Sequence, residues 1–133
     1  MKVNIYYGGR GLLDDPTLYV LNKMEEVLQE LRVTVERINI YEHKNEIATL
    51  PQTMKDADGI ILATTIEWLG IGGYMQQFLD ACWLYGDKEK IKTNLYAADC
   101  HVYNIWRARG RTDIAECMGD FRWTAMPGTL RIC

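Results

Sequence analysis

G-I-I-L-A-T, residues 59–64, is the stretch on which the fold of this chain turns. It is an unbroken apolar run rather than an alternation of apolar and polar residues, and a strand of that kind is buried on both faces. Burial on both faces marks the centre of a parallel sheet. Parallel neighbours cannot be joined by a tight hairpin, so helical crossovers are expected on either side of it.

Downstream, Tyr74, Met75, Phe78, Leu79 and Cys82 share one helical face, with Gly72 and Gly73 marking the start of the helix and Gly86 its end. Residues 94–98 then form a fourth strand, residues 103–119 carry a weak helical pattern, and residues 129–133 form a fifth strand. Upstream, Pro51 introduces a short helix over residues 52–57, after a polar, irregular stretch over residues 42–52. Residues 33–40 are a β-type run in which the apolar register changes around Glu36 and Arg37.

Between residues 17 and 31 the positions Thr17, Val20, Leu21, Met24, Val27, Leu28 and Leu31 follow helical spacing, with Asp15 as N-cap and Pro16 in the first turn. The first strand, residues 2–7, runs into a loop containing Gly8, Gly9, Arg10 and Gly11. Strands and helices therefore alternate, which predicts an α/β doubly wound parallel sheet. Ligands of such sheets sit beyond the carboxyl ends of the strands, where the strand order reverses. That rule directs attention to the loops at residues 8–16, 64–72 and 99–103.

The chain has 133 residues, 48% of them hydrophobic, enough for one core, so residues 1–133 are expected to form a single domain. Fifteen Lys and Arg stand against 18 Asp and Glu, for a net charge of -3. No sequence-wide basic field exists to hold nucleic acid or anionic lipid. The opening M-K-V-N-I-Y-Y-G-G lacks the layout of a signal peptide, and no apolar run has the length of a membrane span. Cys82, Cys100, Cys117 and Cys133 lie 18, 17 and 16 residues apart, without a metal or cluster spacing, and read as reduced thiols of a cytoplasmic protein.

Residues 63–80, A-T-T-I-E-W-L-G-I-G-G-Y-M-Q-Q-F-L-D, resemble without a gap the matching stretch of the flavodoxin-like NADPH-dependent FMN reductases, and residues 57–62, A-D-G-I-I-L, are similar to the strand before it. The resemblance implies a flavodoxin-like sheet of order 2-1-3-4-5. It also implies FMN as cofactor, NAD(P)H as co-substrate, a small-molecule electron acceptor such as a quinone or nitro compound, and a homodimer. In that family the loop after the third strand lies along the flavin. Its roles would fall here to Thr65, Ile66, Glu67, Trp68, Leu69 and Gly70, with backbone amides at the pyrimidine edge and Trp68 as the flat apolar contact.

Three positions depart from the family pattern: Thr65 replaces proline, Glu67 an aromatic residue and Gln76 lysine. A carboxylate at Glu67 would oppose a reduced, anionic flavin unless it pointed to water. In the first loop Gly9 and Thr17 keep the family spacing for a phosphate cradle, Gly11 adds freedom and Arg10 offers a charge. Against this, Asp14 and Asp15 bring negative charge to the same helix start, and an Asp15 cap would take an N–H that a phosphate needs.

The third loop, A-D-C-H-V-Y, would bring His101 and Tyr103 near the far side of the ring, while R-A-R-G-R at residues 107–111 is either a phosphate-attracting patch or a solvated helix face. With no triad, metal box or paired carboxylates in view, the chemistry would be the cofactor's own. Two other readings stand beside the reductase: an electron-carrier flavodoxin, and a flavodoxin-like binding or regulatory domain without flavin. A doubly wound domain usually covers its last strand with a helix, and none follows here. Either a partner completes the sheet, the sequence is cut short with a C-terminal helix missing, or residues 129–133 are not a strand.

Overall fold

The computed structural model describes residues 1–67, 70–89, 95–102 and 130–131, the backbone alone for residues 67, 95–102 and 130–131. The described elements are strand β1 (Lys2–Tyr7), helix α1 (Pro16–Glu30), β2 (Thr34–Asn39), two 3-10 segments (Ile40–His43 and Ile47–Asp56), β3 (Gly59–Glu67), β4 (Gly70–Ile71), α2 (Gly73–Tyr85), β5 (Leu95–Val102) and β6 (Leu130–Arg131). The strand order is β2-β1-β3-β5-β6, with every neighbour parallel and the two-residue β4 turned back against β3. With β4 set aside this is the expected 2-1-3-4-5 order, and β6 pairs with Ala97 and Ala98, so the terminal residues include a strand.

The apolar run of β3 is divided between two cores. Ile61 and Ala63 join Val3, Ile5, Tyr7 and Leu21 under α1, while Ile60 and Leu62 join Tyr6, Met54, Met75, Phe78 and Cys82 under α2 and the second 3-10 segment. Both faces are covered, which is why no polar residue interrupts residues 59–63 of the strand. Tyr6 stacks on Phe78 with ring centroids 4.7 Å apart. The Tyr6 hydroxyl bonds Thr53 Oγ1 at 2.7 Å, and the fully buried Asn4 donates through Nδ2 to the Thr53 carbonyl at 3.0 Å. A polar staple thus fixes the 3-10 segment to β1.

That segment corrects the expected helix over residues 52–57. It begins at Ile47 and is a 3-10 helix carrying Pro51 inside it. Pro51 has no N–H to give a helical ladder, while Ile47, Leu50 and Met54 still reach the core. At the other end of α1 the chain closes through Arg32 at φ 59, a left-handed residue without glycine, and Val33 N–H bonds the Leu28 carbonyl at 2.9 Å.

Cys82 is buried with its Sγ 3.6 Å from Met54 Sδ, and burial pushes its thiol up from 9.0 to about 12. The folded chain therefore keeps a proton that the unfolded chain releases. The contribution is complete below pH 9.0 and is lost as the pH climbs toward about 12. Tyr6, raised by burial from 10.0, acts in the same direction. Urea unfolding at pH 7, 9 and 10.5 is expected to show stability falling over the last interval, and falling less steeply in Cys82→Ala.

Candidate cofactor site at the carboxyl edge of the sheet

Strand order reverses between β1 and β3, and their carboxyl ends meet there. Gly8 N–H, one residue past β1, bonds the Ala63 carbonyl at 2.8 Å. A Cβ on Gly8 would lie 2.6 Å from Met75 Cβ and 3.0 Å from Met75 Cα, so the end of β1 touches α2 backbone to backbone. Gly11 has φ 71, and a Cβ on it would fall 2.6 Å from the Tyr41 ring. Between them Gly9 is buried and Arg10 exposed.

The first loop is wired from within. The Tyr7 hydroxyl donates to Asp15 Oδ2, and Gly11 N–H donates back to that hydroxyl at 3.2 Å. Asp15 Oδ1 accepts Thr17 N–H at 2.8 Å, and the Asp15 carbonyl accepts Leu18 N–H at 3.0 Å. Pro16 has no N–H to offer. Asp15 is 5% exposed, and burial together with its hydrogen bond to Asp15 holds the Tyr7 phenol well above its ordinary range.

A phosphate at a helix start needs free N–H groups and no competing charge. Here Thr17 and Leu18 N–H are both engaged by Asp15 and its buried carboxylate stands beside them, so the phosphate of FMN does not fit the start of this helix. Arg10 and Asp14 each already have a partner. Thr17 Oγ1 is left fully buried without a hydrogen-bond partner.

The expected loop after residue 64 is instead a continuation of β3. Ile66 pairs with Ile71 and Glu67 with Gly70 in an antiparallel ladder, and the Thr65 carbonyl accepts Gly72 N–H at 3.1 Å and the Thr64 hydroxyl at 3.2 Å. The apolar and β-branched character of the strand carries on through Thr64, Thr65 and Ile66, and this sustains the ladder. Thr65 and Ile66 are buried, whereas Trp68 and Leu69 lie outside the described residues.

The expected third loop is likewise strand through Val102. Thr64, Thr65 and Ile66 give Cys100, His101 and Val102 parallel partners, which places His101 in β5 beside Thr65. Tyr103 and residues 107–111 lie outside the described residues. The backbones of residues 8–11, 65–67, 70–72 and 99–102 thus converge on one edge, as the topology requires, while Thr17 stands in the first turn of α1.

Sequence reasoning missed Tyr7 as a functional position, because an aromatic residue in a buried strand reads as packing. The signal was the eight-residue spacing to Asp15, which a strand–loop–helix turn closes. Among the described residues no group of His, Cys, Asp or Glu is arranged to hold a metal, and no helix is long and apolar enough to cross a membrane.

No protein-family model and no curated protein matches the chain. Solved structures do. The azoreductase AzrA superposes with a TM-score of 0.73 at 11% identity, over 99% of this chain and 86% of that one. A flavodoxin from the domain Archaea gives 0.68 at 16% identity, over 99% and 78%. The rubredoxin:oxygen oxidoreductase of Desulfovibrio gigas gives 0.66 at 17% identity, over 91% of this chain, which spans only 27% of that protein. Order of strands, two-sided core and these superpositions agree: the chain has the flavodoxin-like fold.

Proposed function

We propose that this chain is a flavin-dependent reductase, taking electrons from NAD(P)H and passing them to a small acceptor such as a quinone or nitro compound. The observation that carries the reading is the meeting of two backbones at the switch point: a Cβ on Gly72 would lie 3.3 Å from the Gly8 carbonyl oxygen and 3.4 Å from Thr64 Oγ1. Glycine at both places lets the two buried backbones close on each other at the sheet rim, in the crevice where a doubly wound sheet takes a flat ring with a polar border.

Similar folds serve proteins described as an azoreductase, a flavone reductase and a flavodoxin, which supports a flavin in the same place here. When bound, a flavin would supply the hydride chemistry, and this chain's own part is to bind and orient it. FMN is the flavin named by the sequence resemblance, and its phosphate is the portion that the first loop does not fit. A homodimer in the cytoplasm belongs to the same proposal, and the exposed Trp83, Leu84 and Tyr85 at the end of α2 offer apolar surface for such an association.

The wired first loop also favours a second reading, a partner-binding domain that uses no flavin. The two separate cleanly. Purified protein is incubated with riboflavin or FMN and desalted, and a retained band near about 450 nm followed by quinone-dependent NADH oxidation is the expected result. Loss of all flavin from folded protein would leave only the second reading.

A further inference from the structure

The first loop holds a negative charge of its own where an anion-binding loop would leave room for one. Asp15 is 5% exposed, and its two carboxylate oxygens each accept a hydrogen bond, from the Tyr7 hydroxyl and from Thr17 N–H, the latter at 2.8 Å. Gly11 N–H, the donor of the left-handed loop residue, is turned onto the Tyr7 hydroxyl at 3.2 Å rather than outward. Thr17 Oγ1, fully buried, has no partner although it sits in the first turn of α1. The loop thus retains glycines and a threonine hydroxyl, while a carboxylate has taken the Thr17 N–H at the helix start.

We propose that Asp15 is a built-in occupant of the anion position, so that the site takes a flavin without a phosphate, riboflavin or a similarly neutral isoalloxazine, and discriminates against FMN. This rests on the reading of the sheet edge as a flavin site and names its substrate class. A phosphate within reach of Thr17 N–H would meet the Asp15 carboxylate on the same donor. Like charges so placed oppose each other, and displacing the carboxylate would strip the Tyr7 hydroxyl of its buried acceptor. The oxidised isoalloxazine end carries no such charge and would approach a different part of the edge.

The test compares wild type with Asp15→Ser, which keeps a capping oxygen and removes the charge, and with Asp15→Asn, which keeps the shape should the serine variant fail to fold. Riboflavin and FMN are titrated by fluorescence quenching, and melting temperature is followed with inorganic phosphate. Wild type is expected to favour riboflavin, and the charge-removing variant to shift the ratio toward FMN by about tenfold. Wild type favouring FMN, or an unchanged ratio in the variant, overturns the proposal. Should neither flavin bind wild type, the reductase reading fails and phosphate decides this one: stabilisation of the variant alone supports a displaced anion position, whereas stabilisation of both or of neither overturns it. Should neither variant fold, the wild-type ratio decides.

Discussion

Phe78→Ala is expected to cost about 3–5 kcal/mol of folding stability, the largest single loss the described core allows. Phe78 has no exposed surface, and its ring lies 21° from parallel to Tyr6. Truncation removes the ring stacking between α2 and Tyr6 of β1 and opens a cavity in the core to which Tyr6, Leu62 and Met75 also belong. Partial collapse would pull Tyr6 from its bond to Thr53 and loosen the 3-10 segment as well. Urea unfolding monitored by circular dichroism reads the loss as a lower midpoint at unchanged slope. A change under about 1 kcal/mol would mean that α2 does not bear on the sheet as described.

Gly8→Ala is the second large effect, and it acts by adding rather than removing atoms. The new methyl would sit 2.6 Å from Met75 Cβ and 3.0 Å from Met75 Cα, and a backbone atom cannot swing aside as a side-chain tip does. Either α2 shifts away from the sheet or Gly8 gives up its bond to the Ala63 carbonyl. Overpacking of this kind costs about 1–3 kcal/mol. The same displacement separates Gly8 from Gly72, so flavin retention should fall more than stability does. Parallel measurement of melting temperature and riboflavin affinity checks both, and an unaffected variant would show that the two glycines do not meet.

Much of this architecture is legible in the chain because local and long-range signals agree. The unbroken run in β3, the Asp15–Pro16 helix start and the glycines around α2 each have one reading that suits a doubly wound sheet. The errors lie where a ladder partner decides the outcome. Residues 65–67 and 99–102 look like loops in isolation, yet Thr65 and Ile66 are paired with His101 and Val102, and Ile66 and Glu67 also pair with β4. The 3-10 segment is hidden by Pro51, which signals a break where the chain in fact coils on.

The candidate site was partly legible. Its location follows from topology, and Asp15 was recognisable as a cap. What periodicity does not show is that Tyr7, from within β1, reaches under the loop to bind that same carboxylate and turns Gly11 N–H inward. Burial and hydrogen bonding across eight residues are tertiary facts. They change the meaning of the glycine loop from a cradle for phosphate to a closed turn.

The most direct test of a flavin site on this edge is a riboflavin titration followed by backbone amide resonances. Shifts are predicted in residues 8–11, 65–67, 70–72 and 99–102, with none at the opposite edge, where Lys2 and Asp58 are joined by two 2.8 Å hydrogen bonds. Shifts confined to that opposite edge, or an unchanged spectrum at saturating riboflavin, would contradict the account.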